Sequence, residues 1–174
     1  PFNPRSPYAV AKASAYWLVN NYREAYGLFA CTGMLFNHES PLRPTRFVTQ
    51  KIVQAAKRIA DGSYEKLQLG RLDISRDWGW APEYVDAMWR MLQLDKPEDF
   101  VIATGQTYSL EDFVAHAFKV QGLNWQEHVI CDRSLFRPTD LSLSRADPSK
   151  AKLILDWQAE VNMPQLVEKM IAGS

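Results

Sequence analysis

The chain is poor in cysteine: its 174 residues hold two, Cys31 and Cys131, far apart and each within an apolar stretch. Such an arrangement argues against a disulfide framework or a thiolate metal site and for two buried free thiols. Charge of one sign is lacking as well. Twenty basic residues balance twenty acidic ones, interspersed along the chain, which excludes a basic stripe for nucleic acid and a charged tail. No apolar run approaches the roughly 18 residues needed to cross a bilayer. His116 and His128 have no ligand partners at metal spacing, so no metal is expected. Internal repeats and low-complexity stretches are absent. Pro1 to Arg5 reads as a loop rather than a secretory leader, and with reduced thiols this points to the cytoplasm. No Gly-x-Gly-x-x-Gly follows a strand, so the phosphate-cradling turn of a dinucleotide fold is missing. The expectation is therefore the carboxyl-terminal half of a longer protein.

What is present begins at Ser6-Pro7-Tyr8-Ala9-Val10-Ala11-Lys12. Ser6 offers a helix N-cap and Pro7 a first helical residue. Tyr8 and Lys12, four apart, then share one helix face. An ammonium held near a phenol favours its ionised form, which makes Tyr8 a usable base for removing a proton from a sugar or alcohol hydroxyl during hydride transfer. The bare spacing also occurs on surface helices whose tyrosine packs and whose lysine is solvated.

The helix is expected to run to Gly27, a natural C-cap. Leu28 to Phe36 is a nearly unbroken apolar run, which predicts a strand buried on both faces in a parallel sheet. Asn37 to Arg46 reads as a loop at that strand's carboxyl end, where such sheets bind ligands. Val48 to Ala60 is periodic and helical, stopped by Asp61-Gly62. Leu67 to Gly70 reads as a short strand, and Arg76 to Trp80 as a turn rich in aromatic anchors. Pro82 opens a helix to about Leu94 with Tyr84, Val85, Met88, Met91 and Leu92 on its apolar side. Phe100 to Ala103 is a further buried strand. Ser109 to Asp112 resembles a capping box for a helix through Gln121. Trp125 to Cys131 reads as extended, Asp147 to Lys150 caps another helix, and Pro164 to Ile171 forms the last. Alternating strands and helices predict an α/β fold.

Several stretches together carry a resemblance: Pro4-Arg5-Ser6-Pro7-Tyr8-Ala9-Val10-Ala11-Lys12, Asn21 to Gly27, Leu35-Phe36-Asn37-His38-Glu39-Ser40-Pro41, Arg76-Asp77-Trp78-Gly79, Pro97 to Gly105, Phe136-Arg137-Pro138 and Asp147 to Ala151. They resemble the extended short-chain dehydrogenases/reductases that act on nucleotide sugars, and within these the GDP-mannose 4,6-dehydratase family. The resemblance implies the C-terminal part of a Rossmann-type parallel sheet in residues 1–66. It implies a smaller α/β substrate-binding domain, with part returning to the sheet, in residues 67–174. It also implies a lyase that converts GDP-mannose to GDP-4-keto-6-deoxymannose in deoxysugar synthesis, with NADP as cofactor and a homo-oligomer, dimer or tetramer, as the assembly.

By the same resemblance Tyr8 and Lys12 are catalytic, and with Leu35, His38 and Arg43 they contact NADP. Asn37, Val48, Lys51, Gly70, Arg76, Arg137 and Asp140 then hold the nucleotide sugar. Arg43 is chemically apt, because a guanidinium grips phosphate oxygens in a fork. Lys51, in a helix's first turn, opposes the helix dipole unless an anion is bound there. Two departures concern loop geometry: Asp140 replaces a longer glutamate, and Pro44-Thr45-Arg46 replaces the family's usual Gly-Glu-Thr. The family's eliminating glutamate, beside a threonine or serine, has no counterpart here. A related GDP-sugar reductase or epimerase, or an inactive nucleotide-sugar-binding remnant, is the alternative, and the chain alone is expected to lack activity.

Overall fold

The computed structural model describes residues 3–136 and 140–173. In chain order the elements are α1 (Pro7–Tyr26), β1 (Gly33–Leu35), β2 (Asn37–Glu39), α2 (Val48–Ala60), β3 (Leu67–Leu69), β4 (Ser75–Arg76), β5 (Trp78–Trp80), α3 (Ala81–Met91), β6 (Phe100–Ile102), β7 (Tyr108–Ser109), α4 (Leu110–Val120), β8 (Val129–Cys131), α5 (Ser149–Leu155) and α6 (Met163–Ala172).

Local signals set the helix ends. Ser6 Oγ accepts from Ala9 N–H at 3.1 Å, which satisfies one orphan donor of α1. Gly27 closes the helix at φ 64°, a conformation that favours glycine, and its N–H reaches Arg23 O at 3.0 Å. At α4, Ser109 Oγ accepts from Asp112 N–H at 3.0 Å and the Asp112 carboxylate accepts from Ser109 N–H at 2.9 Å, a reciprocal capping box. Asn162 and Gln165 do the same for α6.

Two apolar clusters hold these elements. In the larger, Ile52, Val53 and Ala56 of α2 meet Phe113, Val114 and Phe118 of α4 and Leu166, Val167 and Met170 of α6. Leu67 and Leu69 of β3 and Trp78 of β5 complete it. Burying one such side chain fully contributes about 1.5–3 kcal/mol. The smaller cluster joins Tyr84, Ala87 and Met91 of α3 to Phe100 and Ile102 of β6 and to Ala151, Leu155 and Trp157.

The strands form four two-stranded ladders among the described residues: β1–β6, β2–β5 and β3–β8 are parallel, and β4–β7 is antiparallel. This corrects the expected portion of one continuous parallel sheet. The long apolar run is corrected with it. Only Gly33–Leu35 is strand, because a strand exists where a ladder partner meets it, and β6 meets these three residues on one side. Leu28 and Phe29 remain 49 % and 46 % exposed.

The expected loop from Asn37 and the expected turn at Arg76 to Trp80 are corrected jointly. Asn37, His38 and Glu39 pair with Trp78, Gly79 and Trp80, since ladder bonds run through the backbone and do not require apolar side chains. Ser75 and Arg76 pair with Ser109 and Tyr108. Between β4 and β5 lies Asp77, wholly buried. Its carboxylate accepts from Thr104 N–H and Oγ–H, both at 2.9 Å, and from Gly105 N–H at 2.8 Å.

On α3 the buried residues are Tyr84, Ala87 and Met91, while Val85, Met88 and Leu92 face outward. The stripe at i, i+3 and i+7 selects one face and leaves the other apolar residues off it. Trp125–Glu127 is a single tight turn with Asn124 as its cap, so the expected extended segment shrinks to β8. Both thiols are free, but Cys31 is half-buried and Cys131 is exposed at a ladder end.

Candidate active site

Tyr8 and Lys12 lie on one face of α1 and open onto a cleft of about 610 Å³. The opposite wall runs from Cys31 through Thr32, Gly33 and Met34 to Leu35 and Phe36. Ala9, Ala13, Ala15, Tyr16 and Val19 form the rest of the α1 side. The small alanines let the wall approach the helix, and Tyr8, 73 % exposed, has its hydroxyl open to a ligand. The C-terminal end of α1 is tied down. Arg23 Nε donates to Ala30 O at 2.6 Å and its guanidinium pairs with Asp99. Asp99 also accepts from Thr32 N–H at 2.7 Å, so one carboxylate links α1 to the cleft wall.

The cleft wall ends at Phe36, and the chain continues as β2. Asn37 is exposed there. His38 Nδ1 is 2.8 Å from Phe36 O, and its ring stacks on Tyr84 at a centroid distance of 5.0 Å. Arg43 Nε lies 3.1 Å from Glu39, which is 2 % exposed, and its guanidinium sits 3.8 Å above the Phe47 ring. Burial pushes the Glu39 carboxyl above its ordinary range, and Arg43 works against that.

The expected sugar-nucleotide residues lie on other elements. Val48 is the first residue of α2 and is partly exposed. Lys51 Nζ donates to Gln68 O at 2.6 Å, an exposed contact that holds the ammonium over β3. Gly70 follows β3; a Cβ there would stand 3.0 Å from Leu135 O, so the position admits a close backbone approach. Arg76 Nη2 donates to Asp140 at 2.9 Å. The structure thus brings Tyr8, Lys12 and Leu35 together in one cleft and pairs Arg76 with Asp140. Arg137 lies outside the described residues.

Sequence reasoning missed the support beneath His38. Gly79, across the ladder from it, leaves the space that the Tyr84 ring fills: a Cβ at Gly79 would meet Tyr84 Cε2 at 2.3 Å. The signal was a glycine between two tryptophans, five residues ahead of a tyrosine. Among the described residues no group of three or more His, Cys, Asp or Glu could hold a metal ion. No described helix is long and apolar enough to cross a membrane.

The sequence family model of GDP-mannose 4,6 dehydratase matches residues 1–170. The chain belongs to the GDP-mannose 4,6-dehydratase family. Among curated relatives, GDP-mannose 4,6 dehydratase 2 of Arabidopsis thaliana is 52 % identical over 171 residues, covering 98 % of this chain and 46 % of that protein. The human GDP-mannose 4,6 dehydratase is 47 % identical over 188 residues, covering 98 % and 50 %. The chain spans about half the length of the curated relatives it matches.

Of solved structures, RMD from Pseudomonas aeruginosa, complexed with NADPH, has a TM-score of 0.87 at 20 % identity, over 98 % of this chain and 56 % of that one. MoeE5 in complex with UDP-glucose and NAD has a TM-score of 0.86 at 20 % identity, with the same coverage of each. At that identity the likeness is one of fold. These matches correct the expectation of a trailing part of the family's protein and fold. What matches the GDP-mannose 4,6-dehydratase family is this chain from residue 1 to residue 170, and its α/β fold is matched over 98 % of its length.

Proposed function

We propose that the chain acts as an NADP-dependent GDP-mannose 4,6-dehydratase, a lyase converting GDP-mannose to GDP-4-keto-6-deoxymannose. Family membership supports this reading, and the observation that carries it is the joint opening of Tyr8 and Lys12 onto one cleft. The cleft suits the nicotinamide end of a dinucleotide. Ala9, Ala13, Met34 and Leu35 offer apolar walls for a flat ring, while Tyr8 and Lys12 offer polar groups for ribose and substrate hydroxyls. His38 and Arg43 are assigned to other parts of the cofactor, Arg43 through a charge-assisted bond to phosphate or ribose. When bound, NADP supplies the acceptor and donor of hydride.

The residues of the chain move the proton. Tyr8 Oη takes the proton from the C4 hydroxyl of the sugar as hydride leaves C4. Lys12 Nζ, one helical turn on, donates to a neighbouring hydroxyl. Lys51, Arg76 and Asp140, with Asn37, Val48 and Gly70, are assigned to the nucleotide diphosphate and sugar. In this reading residues 1–66 are the cofactor side and residues 67–174 mainly the substrate side.

The test is conversion of GDP-mannose by the purified chain with NADP, followed by detection of the 4-keto product. Tyr8→Phe should cut turnover by roughly 10²–10⁴-fold and leave GDP-mannose binding nearly unchanged, because it removes a proton acceptor and little contact area. Turnover in Tyr8→Phe equal to that of the unaltered chain would remove Tyr8 from the reaction.

A further inference from the structure

His38 and Gly79 are partners across the β2–β5 ladder. Neighbouring residues of a parallel pair present their side chains on the same face, and at this point one of the two has none. The Tyr84 ring, from the first turns of α3, occupies the vacant position. It lies so close to Gly79 that a methyl group there would meet Cε2 at 2.3 Å and the hydroxyl at 2.6 Å. From that seat it stacks on the imidazole of His38, at 5.0 Å and 29° between planes. Trp157 closes the other side edge-on at 6.0 Å, and its indole N–H is fixed by Glu83 O at 3.0 Å. Tyr84 is 0 % exposed, yet its hydroxyl has no hydrogen-bond partner among the described residues. The phenol oxygen therefore contributes no bond that would explain the ring's place; the flat face does.

We propose that Tyr84, seated in the slot left by Gly79, is a positioning residue that holds His38 in one rotamer and one tautomer. The remaining contact fixes which tautomer. Nδ1 of His38 faces the carbonyl oxygen of Phe36 at 2.8 Å. A carbonyl only accepts, so Nδ1 carries the hydrogen and the neutral ring is left with a lone pair on Nε2. A histidine prepared this way takes a hydrogen-bond donor, a hydroxyl or an amide N–H, and not a phosphate oxygen. This rests on the reading above in which His38 meets the cofactor, and it narrows the cofactor group concerned to a ribose hydroxyl or a carboxamide.

The experiment is long-range ¹H–¹⁵N correlation NMR of the imidazoles in the full chain, labelled at histidine nitrogen. The three histidines make the spectrum assignable, with His116 and His128 as internal controls. His38 should show a single Nδ1–H tautomer. Tyr84→Phe should preserve it, because the ring remains. Tyr84→Leu should lose it, giving mixed tautomers at His38 while the two controls stay unchanged. Should Tyr84→Leu not fold, Gly79→Ala displaces the ring while retaining every core atom, and the same loss is expected. An Nε2–H form in the unaltered chain, or an unchanged His38 signal once the ring is gone, overturns the proposal. NADPH titration separates the two readings. A shift confined to His38 Nε2, with affinity about tenfold weaker in Tyr84→Leu, supports both. No shift on NADPH with the tautomer intact counts against the cofactor contact and leaves Tyr84 as its positioning residue.

Discussion

Helix α1 has 20 residues, none of them buried, whereas α2 has 13 and buries seven. Both are well-formed helices, but they are held by different physics. Helix α2 carries a strong apolar stripe and is locked between α4 and α6. Helix α1 is written in local chemistry: a serine cap, a proline at its start, alanines, and a glycine in the left-handed conformation at its end. Its seat on the rest of the fold is fixed by the Arg23–Asp99 pair and by Arg23 on Ala30 O. The proposed proton-transfer residues sit on the helix that burial does not clamp. A side chain that must meet a ligand has to stay open, and polar ties at the far end of α1 position Tyr8 and Lys12 without covering them.

The largest test of this contrast is Phe113→Ala. Phe113 is 0 % exposed and packs its ring 5.3 Å from that of Trp78. Losing it should destabilise the α2–α4–α6 core by about 3–5 kcal/mol, read by denaturant unfolding. Asp99→Ala comes next. It strips Arg23 of its partner and Thr32 N–H of its acceptor, a loss of about 2 kcal/mol. Hydrogen exchange should show α1 amides accelerated while those of α2 change little; equal acceleration in both would erase the distinction between the two helices.

Acid should do the same without a mutation. Burial works to raise the Asp99 carboxyl, but Arg23 and the Thr32 N–H outweigh it and hold its pKa below the ordinary 3.8. A folded pKa below the unfolded one means that the folded state binds fewer protons. The stabilisation is therefore full above pH 3.8 and is lost as pH falls through the folded value. Glu39 and Asp77 have the opposite sign. Burial raises both, so their contribution is complete below the ordinary values of 4.5 and 3.8 and is lost as pH rises through the folded ones. Exchange measured on descending pH should free α1 before β2 and β5; the reverse order would break the comparison. The smallest effect is expected at Leu18→Ala, on the 58 % exposed side of α1, within about 0.5 kcal/mol by thermal unfolding.

Helices were legible where their signals are local. Ser6-Pro7, Gly27, the Ser109–Asp112 box and the periodic stripe of Val48 to Ala60 each announce a helix without reference to the rest of the chain. Strands were legible only where their own residues are apolar, as at Phe100 to Ile102. Asn37–Glu39 reads as loop and Trp78–Trp80 as turn because each becomes a strand only on meeting the other. Leu28 and Phe29 show the converse, apolar residues that read as strand and meet no ladder. At the candidate site, the helical spacing of Tyr8 and Lys12 already placed them on one face. That Lys51 leans on Gln68 O, that Arg76 is committed to Asp140, and that His38 rests on Tyr84 are long-range contacts with no periodic trace.

The four ladders have one more consequence, which concerns the order of events when the chain folds. None of them joins neighbouring strands by a tight turn. The shortest span runs from Arg76 to Tyr108, and the longest from Gly33 to Phe100. Each ladder must therefore close a long loop before its first hydrogen bond repays the entropy. Helix α1, whose caps are local and whose residues are unburied, needs no such closure, whereas α2 depends on the packing that buries it. Because β1 exists only where β6 meets it, the wall facing Tyr8 and Lys12 takes its shape only once that ladder has closed.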